Sequence, residues 1–185
     1  ALKDFILYVS GLGPQYNPSN PMLTVQSLNT LYEQANEGYR QLSLLNTQFN
    51  IAVGEGILAF ADVKSYATQV VAAFKSSSKG NEKQYENLLS INQKIQGQRA
   101  SRSKKKVVEN PDAPAPASIS VSQQSYDMRY DNFQKLVEAI KAEPSYNPNE
   151  TNLTVEELQA FSDRLLASNT KVAKAFEDVR NARIA

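Results

Sequence analysis

Carboxylates are the side chains in this sequence best suited to do chemistry. Glu150, Glu156, Glu157, Asp163, Glu177 and Asp178 crowd its last quarter, and paired carboxylates can act as general acid and base or hold a hard cation. A carboxylate di-metal site in a helical bundle, however, also draws on Glu-x-x-His pairs from its helices, and the chain has no histidine. Cysteine and tryptophan are absent as well. Ser-His-Asp and Cys-His catalysis, thiolate and imidazole metal sites and an imidazole pH switch are excluded together. Most of the acids fall on helix surfaces or, like Glu156 and Glu157, in a first turn, where negative charge stabilises the positive end of the helix. The residues thus predict a chain that is not an enzyme and imply no cofactor and no metal.

A second group could bind rather than catalyse. Arg99, Arg102, Lys104, Lys105 and Lys106 lie between Gln96 and Lys106 with no acid among them, and clustered cations neutralise phosphates without needing a fold of their own. A nucleic-acid-binding arm is therefore the alternative reading. Against it, no aromatic residue lies in the run, and the remainder of the chain carries fifteen basic against nineteen acidic residues, a net of −4. A solvated linker accounts for the run better. Ser76-Ser77-Ser78-Lys79-Gly80 has the wrong order for a phosphate-cradling loop, and Gly54-Glu55-Gly56 follows a helical rather than a strand pattern, so a kink or a break between helices is expected there. No run of about 18 apolar residues is present to span a bilayer as a transmembrane segment. Ile51 to Val63 is fairly apolar but short and carries Glu55 and Asp62, which leaves a membrane-active helical protein as a third, minor reading. Ala1 opens no recognisable signal peptide, and without an initiator methionine the chain reads as processed or as an excerpt.

The elements that would position these groups are organised by a stretch that occurs twice. Residues 14–28 and 144–158 are identical at eight of fifteen positions at a constant offset of 130, the mark of an internal repeat. Each copy runs from a proline through Tyr16-Asn17-Pro18 or Tyr146-Asn147-Pro148 to Leu23, Thr24 and Leu28 or Leu153, Thr154 and Leu158. Asparagine before proline is pushed out of the helical region, so the helix starts later. Thr154 with Glu157 three residues on predicts a capping box; Thr24, with Ser27 there, keeps the cap and loses most of the box. The leucine pairs stand at the two positions of a hydrophobic staple. Tyr16 and Tyr146 are expected to pack over a bundle end, the alternative being a binding surface.

Helical spacing predicts the remaining elements. Leu2, Phe5, Ile6, Val9 and Leu12 form a first stripe, stopped by Gly11, Gly13 and Pro14. From Thr24, Val25, Leu28, Tyr32, Ala35, Tyr39, Leu42, Asn46, Phe49 and Val53 alternate by three and four, which predicts a long helix buried along one narrow seam. Asn46, its one polar member, is expected to sit in a solvated layer. Phe60, Val63, Ala67, Val70 and Phe74 predict one more helix, and Glu82 to Ile95, with Tyr85, Leu88, Leu89, Ile91 and Ile95 on one side, another. Ser118 to Ser122 alternates like an extended segment, Ser122 is the expected cap of a helix ending near Ala142, and the last helix carries Leu158, Phe161, Leu165, Val172, Ala175 and Val179. The expected division is a helical repeat unit over 1–96, a basic and Pro/Ala-rich linker over 97–117 and a second repeat unit over 118–185 that can pack as one bundle with the first; either residues 54–96 complete a bundle formed by both copies, or the natural chain continues past Ala185 and this is an excerpt. The expected fold is all-α, an elongated up-and-down helical bundle of helix, Tyr-Asn-Pro connector and long helix, twice.

Tyr-Asn-Pro-Asn-Glu, then Leu-Thr-Val-Glu-Glu-Leu, then a long helix closing on Asn181-Ala182-Arg183-Ile184-Ala185 resembles a family of uncharacterised bacterial all-helical bundle proteins. The resemblance covers roughly Ser118 to Ala185 and, more weakly, Pro14 to about Gln98. It implies the fold and a chain that runs on beyond Ala185, and it carries no activity to transfer. The function expected is that of a structural, assembly or protein-interaction module, with a protein partner or self-association.

Overall fold

The computed structural model describes residues 2–77, 81–97 and 124–184. Six α-helices occupy them, and no strand is formed among the described residues: α1 Leu2–Gly11, α2 Val25–Ala59, α3 Val63–Ser77, α4 Glu82–Gln96, α5 Tyr126–Lys141 and α6 Val155–Ile184. Short 3-10 turns at Pro21–Leu23 and Thr151–Leu153 precede α2 and α6. The fold is all-α.

Helix ends follow local chemistry. Gly13, at φ 51°, lies just beyond α1, where glycine enters the left-handed region without a Cβ penalty. The Asn81 side chain accepts from the Gln84 amide to cap α4. Its amide nitrogen donates to Glu143 at 2.6 Å, and the same carboxylate accepts from the Ser145 hydroxyl at 2.8 Å. These bonds, Ser145 first, hold Glu143 below the usual glutamate range. Ser125, not Ser122, caps α5 by accepting from Met128 N; Ser122 and the alternating Ser118–Ser122 stretch lie outside the described residues. Gly97 closes α4 at φ 77°, and a Cβ there would meet the Gln124 side chain at 2.7 Å. Gln124 in turn donates to the Lys94 carbonyl at 3.1 Å. The chain therefore leaves α4 and returns to α5 at neighbouring points.

The Gly-Glu-Gly segment does not break the chain. α2 continues through Gly54 and Gly56 to Ala59, and the turn to α3 comes at Phe60–Asp62, where Ala61 N donates to Leu58 O and Val63 N to Phe60 O. Glycine inside a helix costs about 1 kcal/mol relative to alanine, and α2 carries that cost at exposed Gly54 and buried Gly56.

Contacts divide the chain into two compact units, residues 54–171 and residues 1–53 with 172–185. This differs from a division at 97–117, because α3 and α4 pack with α5. In the 54–171 unit, α3, α4, α5 and the first half of α6 alternate in direction: Lys64 meets Gln96, Gln84 meets Ala139, and Ser162 donates to Gln134 at 2.6 Å. Val63, Val70, Phe74, Leu88, Ile95, Phe133, Leu136, Val137, Leu158 and Leu165 are its buried centre. Phe161 stacks on Tyr66 at 4.7 Å between centroids and meets the edge of Phe133 at 5.2 Å, within the range where aromatic pairs attract beyond their buried area. Lys171 pairs with Glu55 on its surface.

The other unit is thinner. Ile6 and Val9 of α1 pack on Leu28 of α2, with Tyr16, Val25 and Tyr32 partly buried around them. Phe49 lies 6.0 Å from Phe176, and Ala52 and Val179 are buried. The expected narrow buried seam along α2 is not formed throughout: Ala35 is exposed and Tyr39 is 74% exposed. The three-and-four spacing reports that a stripe exists, and a stripe is buried only where another element lies against it. Asn46 is half-buried and donates to the Leu42 carbonyl of its own helix at 2.9 Å.

Removing the Phe133 ring should lower the unfolding free energy by about 3–5 kcal/mol, as large-to-small changes in a closed core do. Leu58→Ala, on an exposed side chain, should change it by no more than about 0.5 kcal/mol. Urea denaturation of the two variants checks both.

Candidate functional site

Local chemistry builds the two Tyr-Asn-Pro connectors in the same way. The Tyr16 hydroxyl donates to the Leu23 carbonyl at 2.7 Å and the Tyr146 hydroxyl to the Leu153 carbonyl at 2.7 Å. Each phenol clamps the turn that leads into the next helix. Tyr16 N and Tyr146 N donate three residues back, to Gly13 O and Glu143 O. Asn17 and Asn147 are exposed, Pro18 and Pro148 half-buried, and all four lie in the non-helical stretch before the 3-10 turns. Thr24 and Thr154 cap α2 and α6, their hydroxyl oxygens accepting from Ser27 N at 3.3 Å and Glu157 N at 3.4 Å.

The capping box expected at Thr154 is only half made. The Thr154 amide donates to Thr151 O of the 3-10 turn, which occupies the donor that the Glu157 carboxylate would have reached; Glu157 is exposed. In the first copy the Ser27 hydroxyl donates to Pro21 O at 2.9 Å and stands 2.9 Å from the Thr24 hydroxyl.

Burial separates the copies. Tyr146, Leu153 and Leu158 are buried against α3, with the Tyr146 ring parallel to that of Phe74 at 6.5 Å. Tyr16 is half-buried, Leu28 is buried and Leu23 is exposed. Burial, and to a lesser degree the negative Glu150, pushes the Tyr146 phenol up to about 12. Beside Leu23 opens a groove of about 580 Å³ lined by Pro21, Met22, Gln26, Ser27, Leu31 and Gln34 among others. Met22 and Leu31 on its wall are exposed, as are Phe5, Leu7 and Tyr8 of α1.

Sequence reasoning missed this surface, although a signal for it was present. Residues 5–32 contain no charged side chain, whereas the same positions at the offset of 130, residues 135–162, carry seven: Lys135, Glu138, Lys141, Glu143, Glu150, Glu156 and Glu157. A surface without charge that exposes leucine and methionine is one that water covers poorly.

The other candidates do not converge. Among the described residues no group of three or more acids is placed to hold a metal ion. Asp163 accepts from Gln159, and Glu177 pairs with Arg180 on the same helix. Arg99, Arg102, Lys104, Lys105 and Lys106 lie outside the described residues. Within Val25–Ser77 one window is long and apolar enough to cross a membrane, at a mean hydropathy of 1.2 and 39% buried, where the sequence reading expected none. Part of that apolarity is already in use, because Phe60, Val63, Ala67 and Val70 belong to the buried core. Comparison with protein-family models, curated proteins and solved structures found no match.

Tyr146→Phe should cost about 1–2 kcal/mol, because it leaves the Leu153 carbonyl without its donor, and Tyr16→Phe less, because water reaches its partner. A phenol whose folded pKa is raised adds stability that is whole below its unfolded pKa, near 10, and is lost as pH rises toward about 12. The stability gap between the unaltered chain and Tyr146→Phe should therefore narrow between those limits. Denaturation of both proteins at several alkaline pH values measures it.

Proposed function

We propose that this chain is a non-catalytic helical-bundle protein that acts as a structural or assembly module, through a protein-binding surface on α1 and the first turns of α2. The observation that carries this reading is the charge-free stretch over residues 5–32 with Leu7, Met22, Leu23 and Leu31 exposed on it. Side chains of this kind contribute about 25 cal/mol for each Å² they remove from water, so covering them drives association. Polar residues on the same stretch, such as Gln26, Asn29 and Thr30, can supply hydrogen bonds at the rim of a contact, as protein interfaces require.

A photoreactive benzoyl-phenylalanine replacing Leu31 in the chain, in the cells that make it, should form adducts with protein on illumination. The same group replacing the exposed Glu86 of α4 should not. Adduct formation at Leu31 no greater than at Glu86 would sink the proposal.

A further inference from the structure

We infer that residues 33–41 of α2 are a hinge: a length of helix that opens locally while the helix on either side of it stays formed, so that α1 and the first turns of α2 change angle against the rest of α2. This motion is independent of what the surface on α1 and α2 binds. The pattern of exposure along the helix points to it. A helix covered on one side returns a residue to that side every three or four positions, and elsewhere in the described α-helices no more than three consecutive residues are exposed. Residues 33–41 are nine exposed in a row. About two and a half turns of α2 therefore have no covered side. At the offset of 130 the matching residues 163–171 are interrupted by Leu165, which is 0% exposed, where Ala35 is exposed.

Both flanks are anchored, and by different partners. Leu28 is buried with Ile6 and Val9 of α1, and Tyr32 is partly buried beside them. From Leu42 onward covered residues return, through half-buried Leu45, Asn46 and Phe49 to buried Ala52, and the Phe49 ring lies 6.0 Å from that of Phe176 in α6. Ala52 and Val179 are buried outside the cluster around Leu28. Between the anchors the sequence is Glu33-Gln34-Ala35-Asn36-Glu37-Gly38-Tyr39-Arg40-Gln41. Glu33 and Glu37 are like charges four residues apart, which disfavours the helix, and Arg40, three residues after Glu37, relieves this only in part. Asn36 and Gly38 are weak helix formers. Apart from its chain neighbours and its own helix backbone, no atom comes within 4 Å of the place a Cβ on Gly38 would take, so nothing packs on that glycine. A helix this short without tertiary cover is marginal in water, and this one is held from its two ends. Segments with few buried contacts and exposed backbone bonds are where a fold opens first.

Hydrogen exchange of the purified chain, read by NMR, should show the amides of residues 37–41 about tenfold less protected than those of residues 28–32, 49–53 and 167–171. Gly38→Ala should slow exchange over 37–41 about fivefold, which is what about 1 kcal/mol of helix propensity is worth, and leave 167–171 unchanged. The chain has no cysteine, so nitroxide labels on Tyr8→Cys and Gln48→Cys, both at exposed positions, report the distance across the hinge. Pulsed electron resonance should give a broad distribution of that distance, narrowed in Gly38→Ala. Exchange over 37–41 no faster than over 167–171 overturns the inference. So does exchange over 28–32 as fast as over 37–41, which would mean that the whole α1 end of the helix unfolds together, and so does a single narrow distance between the labels.

Discussion

The closed unit depends on one constraint: a hairpin of two amphipathic helices has more apolar surface than its own contact can bury. α5 and α6 meet through Phe133 and Phe161 and through the bond between Ser162 and Gln134, and that contact leaves Val137, Leu153 and the far face of Phe161 needing cover. α3 and α4 supply it, with Tyr66 flat on Phe161 and Val63, Val70, Leu88 and Ile95 filling the space between. Once four helices surround the centre, each contributes residues that water does not reach. The bonds of Asn81 to Glu143, Gln84 to Ala139 and Gln124 to Lys94 then fix the helices along their length. Such bonds are each worth little net, but they discriminate between registers that apolar packing alone would tolerate.

The Tyr-Asn-Pro connectors solve a separate problem. A helix start leaves amide donors unsatisfied, and a chain turning through two prolines has few amides to offer in return. The threonine oxygen takes one amide of the first turn and the 3-10 carbonyl takes the amide of the threonine itself. The tyrosine reaches seven residues on to satisfy a carbonyl that would otherwise be buried bare in the second copy. Tyr146 is therefore both an apolar wall and a donor, and this double duty holds its phenol neutral well above the ordinary tyrosine range.

The same local geometry stands in two surroundings. Over residues 135–162 the charged side chains fall on positions that face water, and the apolar ones are closed off by α3 and α4. Over residues 5–32 there are no charges to mark an outer side, and leucine and methionine stand exposed. Exposed leucine and methionine on a stretch without charge are matched to water less well than the charged exterior of residues 135–162, which is the physical ground for reading this region as a surface made for contact.

Helix positions, the proline and glycine stops, the threonine caps and the core faces of α3 to α6 were legible in the sequence, because each depends on residues within a turn or two of one another. Phe60, Val63, Ala67, Val70 and Phe74 read as one stripe and are buried as one. The continuation of α2 through Gly54 and Gly56 was not legible, since a penalty of about 1 kcal/mol for each glycine marks a weak point without breaking a helix of 35 residues. Nor was the exposure of Tyr39, nor the half-made box at Thr154, where a neighbouring turn claims the amide first. The sequence by itself determined which segments coil and where α2 and α6 begin, through backbone sterics and short-range hydrogen bonds. Only the tertiary structure decided that α3 and α4 close over the second connector. Which apolar stripe is covered depends on side chains that meet across long separations in the chain, and periodicity carries no record of the partner it will meet.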